Sequence, residues 1–279
     1  MNLNKVTPMS IRTNALAGLV FAAQLAMAPA SAQDKSIAEE IARYRQLLQD
    51  GNPAELWEAR GEGLWKEKRG PKKISLEQCD LGKGPGVVKG VYAVLPRYFP
   101  DADRVMDLET RLVYCMTTQQ GYSEAEATKT PYGSSNRRSD IEALVAYITS
   151  ESRGEKMNAP LNHPKEKEAY LIGEKMFYFR GGPHDFACTT CHGESGKRIR
   201  LQDLPNLSDP EDAKRAYTTW PAYRVSQGEV RTMQWRLYDC FRQQRFPELK
   251  FTSDASIALT TFLAHKAQGG VLDAPALKR

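Results

Sequence analysis

Long apolar runs are scarce in this sequence, histidine is scarcer, and the charges nearly cancel. Beyond residue 32 no apolar run approaches the ~20 residues that a helix needs to cross a bilayer, which argues against a membrane-spanning protein. The 279 residues carry 39 Lys and Arg against 34 Asp and Glu, too even a balance to create the basic field that nucleic acid or an anionic membrane surface would select. Strand signals are also thin. Only Gly86 to Val94 alternates apolar and polar character, so a mainly α fold is expected. With 4 His and 5 Cys in the chain, each side chain able to hold a metal can be accounted for individually.

The first stretch reads as an export leader. Lys5 and Arg12 precede an apolar run, Ala15 to Ala28, interrupted only by Gly18 and Gln24, and Ala30-Ser31-Ala32 offers a small-residue cleavage site. The run is too short for a transmembrane anchor. Cleavage after Ala32 would leave a mature chain with 37 basic and 34 acidic residues, in an oxidising compartment such as the periplasm.

All five cysteines, Cys79, Cys115, Cys188, Cys191 and Cys240, lie beyond the leader. Cys188-Thr189-Thr190-Cys191-His192 has the spacing that attaches a c-type haem, two thioethers fixing the porphyrin and His192 supplying one axial ligand. Three cysteines remain, an odd number where pairs normally close.

An internal repeat sorts them. Gly61-Glu62-Gly63-Leu64-Trp65 through Gly70-Pro71 resembles Gly173-Glu174-Lys175-Met176-Phe177 through Gly182-Pro183 at an offset of 112, which carries Cys79 onto Cys191. Arg111 to Cys115 and Gln119 resemble Arg236 to Cys240 and Gln244 at an offset of 125. Each half closes with an apolar helix opened by Ser-Asp, Ser139-Asp140 and Ser253-Asp254. Two tandem domains are expected, residues 33–157 and 158–279, joined by a linker over Asn158 to Pro164. The first lacks the haem site, because Leu76 and Asp80 stand where Cys188 and His192 stand in the second. Collapse of that empty pocket would bring Cys79 and Cys115 within the ~4.4–6.8 Å Cα separation of a disulfide, leaving Cys240 as the odd thiol.

Several helices can be placed. Ser36 to Glu39 is a capping box opening a helix through Leu48, Pro210 sits at the first position of a helix capped by Asp209, and a helix over Met233 to Arg245 is stopped by Pro247. For the second axial ligand the candidates are His163, His184, His265, Met233 and Cys240. His163 and His265 read as exposed side chains of the linker and of the segment after the closing helix, and His184 as a loop residue. Met233, 41 residues after His192, is the thioether that a plain electron carrier would use. Cys240 is favoured because an unused thiol is a liability in an oxidising compartment. Arg236 lies four residues earlier, on the same helix face, where its guanidinium would lower the thiol's pKa and offer a fork to an oxyanion. Arg224, Arg231, Arg242 and Arg245 make the surroundings arginine-rich, and Lys197, Arg198 and Arg200 read as a solvated rim.

The duplicated domain, the C-T-T-C-H segment and "RTMQWRLYDCFRQQRFPE" together resemble the A subunits of the SoxAX cytochromes of thiosulfate oxidation, in the branch with a single haem. The resemblance implies two tandem cytochrome c-like domains, the first without haem and holding a Cys79–Cys115 disulfide. It implies one covalent haem c on Cys188, Cys191 and His192, with Cys240 as distal ligand and catalytic residue, often as a persulfide, and Arg236 as the substrate-binding residue. It further implies an L-cysteine S-thiosulfotransferase that joins thiosulfate to a cysteine of a SoxYZ-like carrier and works as a heterodimer with a SoxX-like cytochrome c subunit. Against this stand a His/Met electron-transfer cytochrome and a docking subunit whose haem is only a relay.

Overall fold

A computed structural model describes residues 51–128, 140–199 and 202–279, with Glu39 and Arg43 ahead of them. The leader, and the capping box and helix expected over 36–48 apart from those two residues, lie outside the described residues.

The first half is built from helix α1 (Ala54–Lys66), the hairpin β1 (Arg97–Phe99) and β2 (Arg104–Met106), and helices α2 (Leu108–Thr118), α3 (Glu124–Ala127) and α4 (Asp140–Ser150). The second half runs through α5 (Pro164–Tyr178), the single turn α6 (Cys188–His192), the short pair β3 (Arg198–Ile199) and β4 (Gln202–Asp203), and α7 (Pro210–Tyr217). It continues with β5 (Ala222–Arg224), β6 (Glu229–Arg231), α8 (Met233–Gln243), α9 (Asp254–Lys266) and β7 (Ala276–Lys278). β5 lies between β6, antiparallel, and the C-terminal β7, parallel. Among the described residues no helix is long and apolar enough to cross a membrane.

The duplication is physical as well as textual. In α1 the buried residues Ala54, Trp57, Gly61 and Trp65 recur at helical spacing and face α4. Gly61 lies against the backbone of Ala143, and a Cβ built there would stand 2.0 Å from that carbonyl oxygen. Its repeat partner Gly173, on α5, meets Ala258 of α9 in the same way, also at 2.0 Å. Neither site has room for a methyl group, so a glycine is required by close approach rather than by a turn. Gly173→Ala is expected to force α5 and α9 apart and to cost about 3 kcal/mol or more, which thermal unfolding would read as a lowered Tm.

The 125-residue offset reaches further than the sequence comparison did. β1 pairs with β2 as Tyr98 with Val105, and β5 with β6 as Tyr223 with Val230. Asp107 caps α2 by accepting from the Thr110 N–H at 2.9 Å, and Thr232 caps α8 by accepting from the Trp235 N–H at 3.2 Å. Equivalent residues also meet: the Gln234 N–H donates to Glu109 at 3.1 Å, and Tyr92 and Tyr217 line the same small cavity. Contact between counterparts places a local two-fold axis between the halves. The halves are also tied by Arg231 on Glu142 at 3.1 Å and by Arg104 on Asp254 at 2.6 Å.

Several sequence expectations need correction. Gly86 to Val94 forms no strand; Gly86 and Gly90 take positive φ, and the segment ends in a 3-10 turn at Tyr92–Val94. The linker stops at His163, because Pro164 already begins α5, with His163 as its cap. His163 is half-buried, stacked on Tyr98 with centroids 3.6 Å apart. His265 lies inside the last turn of α9, edge-on to Tyr170, rather than after the helix. The helix expected over Met233 to Arg245 ends at Gln243, since Arg245 has φ 56°. Asp209 and Pro210 open α7 as expected, and Ser253 caps α9; Ser139 lies outside the described residues.

Candidate functional site

Cys79 and Cys115, both fully buried, form a disulfide with Cα atoms 5.8 Å apart, joining the segment before the hairpin to α2. The equivalent positions of the second half, Cys191 and Cys240, are free, as is Cys188. The same scaffold therefore holds a bridge in one half and a cluster of thiols in the other.

Cys188, Cys191 and His192 share the single turn α6, which puts both thiols and the imidazole on adjoining positions. The His192 Nδ1–H donates to the Pro205 carbonyl at 2.9 Å, because a carbonyl can only accept. That leaves Nε2 as an unprotonated lone pair, the tautomer a metal requires. The Leu207 N–H holds the His192 carbonyl at 2.8 Å, fixing the turn from the same loop. Burial lowers the imidazole's pKa, Pro205 opposes this, and Arg236 adds to it, so His192 is neutral and available as a ligand. These features fit a haem c: two thiols at thioether spacing, an oriented imidazole, and apolar side chains such as Leu207 and Phe241 only partly covered by the core.

Helix α8 lies within electrostatic reach of this turn, Cys240 acting on Cys188 and Arg236 on His192. Thr232 starts it, and its i, i+4 spacing puts Arg236 and Cys240 on one face. The three thiols feel one another's charge: burial pushes Cys188 up to about 12, with Cys240 and then Cys191 adding to the shift. Burial also raises Cys240, while Arg236, and more weakly Arg224, pull it down. A thiolate at Cys240 thus depends on positive charge brought to it, which these arginines supply. Asp239, buried next to Cys240, lies 3.6 Å from Arg236 and accepts from Arg242 at 2.8 Å and Gln243 at 2.6 Å.

Met233 starts α8, is buried, and lines a small cavity with Tyr92, Asp107, Glu109 and Tyr217 between the halves. His184 is exposed beside Phe186. Lys197 and Arg198 pair with Glu194 and Asp203 at the surface, and Arg200 lies outside the described residues. Sequence reasoning missed Pro205 and Asp239. It also grouped Arg224 with its neighbours, although Arg231 is consumed by Glu142 and Glu229, and Arg242 by Asp239.

The family model of the SoxA/TsdA cytochrome c domain matches residues 60–157 and 172–272. The L-cysteine S-thiosulfotransferase subunit SoxA of Hydrogenophilus thermoluteolus is 49% identical over 268 residues, 95% of this chain and 98% of that protein. A subunit SoxA of Hydrogenobacter thermophilus is 33% identical, over 90% of this chain and 92% of its own length. The crystal structure of SoxXA from P. pantotrophus matches with a TM-score of 0.70 at 23% identity, over 85% of this chain and 84% of that one, a likeness of fold. Two tandem cytochrome c segments, an oriented histidine beside paired thiols, and these relatives lead to one conclusion: the chain belongs to the SoxA family of L-cysteine S-thiosulfotransferase subunits.

Proposed function

We propose that this subunit joins thiosulfate oxidatively to a cysteine of a SoxYZ-like carrier protein, with Cys240 as catalytic residue and Arg236 as substrate-binding residue. The observation that carries the reading is that Arg236 and Cys240, one turn apart on α8, lie close enough to the Cys188–His192 turn for their charges to act on Cys188 and His192. Cys188 and Cys191 would hold one haem c through thioethers, and His192 and Cys240 would bind its iron. When bound, the haem supplies a positive centre that keeps the Cys240 sulfur ionised and a place for an electron.

Arg236 presents a planar fork to the dianion, one helical turn from the Cys240 sulfur. Asp239 restrains that guanidinium, and Arg242 and Gln243 restrain Asp239. The net reaction forms one sulfur–sulfur bond, between the outer sulfur of thiosulfate and the carrier cysteine. The carrier thiol loses its proton and two electrons leave. A second redox centre is therefore required, and a SoxX-like cytochrome c subunit in a heterodimer would meet that need. Residues 1–32 would direct export to the periplasm, leaving the halves 33–157 and 158–279.

The rival, an electron carrier with Met233 opposite His192, is disfavoured by the burial of Met233 in the cavity between the halves. Spin resonance of the oxidised holoprotein separates the two readings, since thiolate and thioether ligation give different low-spin spectra. Arg236→Ala is expected to keep the thiolate spectrum while reducing kcat/KM for thiosulfate by roughly tenfold to a hundredfold, the cost of one charge-assisted contact. A thioether spectrum, or unchanged kcat/KM in this variant, would reject the assignment.

A further inference from the structure

Counterparts in the two halves show what surrounds Arg236. In the first half its equivalent, Arg111, is fully provided for: Nε donates to the Asp80 carbonyl at 2.7 Å, a terminal nitrogen donates to Asp101 at 2.9 Å, and the guanidinium lies 4.1 Å over the Phe99 ring. The offset of 125 carries Phe99 onto Arg224 and Asp101 onto Ser226, with the hairpin register preserved, as Phe99 opposite Arg104 corresponds to Arg224 opposite Glu229. The half with the free thiols has thus exchanged an aromatic ring for a second guanidinium and a carboxylate for a hydroxyl.

The first exchange adds a positive charge and the second removes a negative one, beside the arginine position that the halves share. The other charged exchanges nearby are taken up in pairs: Tyr114 becomes Asp239 and Thr117 becomes Arg242, which pair with each other, and Arg104 and Met106 become Glu229 and Arg231, which pair at 2.7 Å. Strand alternation fixes the direction of Arg224. Tyr223 packs on Trp57 of α1, whereas Ala222 and Arg224 point the other way, and Ala222 belongs to the core cluster that contains Met233 and Leu237 of α8. Arg224 is half-buried, and among the described residues no acceptor meets its buried Nε. Burial and then the Arg236 charge lower its pKa, while Asp239 and Cys240 oppose them, so it shares the field of this site. Two guanidiniums that feel each other's charge, one with a buried donor unmet, suit an anion.

We propose that Arg224 is a second substrate-binding residue and that, with Arg236, it forms a two-guanidinium receptor matched to the charge of the thiosulfate dianion in front of Cys240. The proposal rests on the reading of Cys240 and Arg236 given above. It adds a residue from a different element, β5, and accounts for selection of a dianion over the monoanions a single arginine would hold.

The test uses the oxidised holoprotein and thiosulfate itself, with Arg224→Gln and Arg224→Phe. The second variant copies the first half, where Phe stacks under the equivalent arginine, and so keeps a packing this scaffold already tolerates. Calorimetric titration without carrier is expected to show thiosulfate binding weakened at least tenfold in both variants, about 1.4 kcal/mol. Turnover with a thiol-bearing carrier should show KM raised by a similar factor, kcat changed much less, and the haem spectrum and midpoint potential unchanged. Wild-type Kd and KM in both variants would overturn the proposal. So would a shifted haem potential with unchanged Kd, which would make Arg224 a propionate partner. If Arg236→Ala also bound thiosulfate normally, the underlying functional reading would fall, and Arg224 with it.

Discussion

Cys240→Ala should abolish turnover and change the haem absorption and spin-resonance spectra in the same protein. The two effects have one cause. The Cys240 sulfur lies on the α8 face shared with Arg236, and the charges of Cys188 and Cys191 reach it. If it is both ligand and reacting sulfur, alanine removes both roles together. Loss of roughly 10³-fold or more in kcat is expected, as for removal of a nucleophile whose neighbours act with it as a unit. Cys240→Met separates the roles, supplying a sulfur ligand on a longer side chain while removing the ionisable thiol. That variant should return a low-spin spectrum without activity. Substantial turnover in Cys240→Ala would show that the bond-forming sulfur lies elsewhere.

The second large effect concerns stability rather than chemistry. Removing the bridge with Cys79→Ala and Cys115→Ala should destabilise the protein by about 4 kcal/mol, from the chain entropy of a loop whose ends are 36 residues apart. For a domain of this size that corresponds to a fall in Tm of roughly 8–16 °C, read by calorimetry of the holoprotein. Activity below the transition should survive, because neither residue belongs to the pocket around Cys240. A Tm within a degree or two of wild type would show that the first half does not rely on the bridge to replace a cofactor. Denaturation without reductant, followed by a thiol label, should leave Cys79 and Cys115 unmodified.

Much of this organisation was legible in one dimension, for local reasons. C-x-x-C-H is a covalent requirement of haem attachment, so its spacing survives any surroundings. The glycines at 61 and 173 and the Arg-x-x-x-Cys segments are helical signals whose period is set by the backbone. The short hairpins were hidden. Three-residue strands such as Arg97–Phe99 and Ala222–Arg224 give too few positions for alternation to register. The alternation at Gly86 to Val94 misled because positive-φ glycines turned that segment into a loop held by tertiary contacts, including the Gly90 N–H on Glu151 at 3.1 Å. Met233 had a plausible sequence distance from His192, yet the cap at Thr232 turns it toward the cavity between the halves.

Cysteine number, the order of the repeated segments and the loss of C-x-x-C-H from one copy were enough to determine a duplicated cytochrome c domain with the haem-attachment segment in one half, because each is a property of residues close in the chain. Which arginine faces that thiol, which tautomer His192 adopts and where Met233 points depend on side chains from separate elements meeting across the core. Such encounters are governed by packing and by hydrogen bonds over long separations, and no spacing along the chain encodes them.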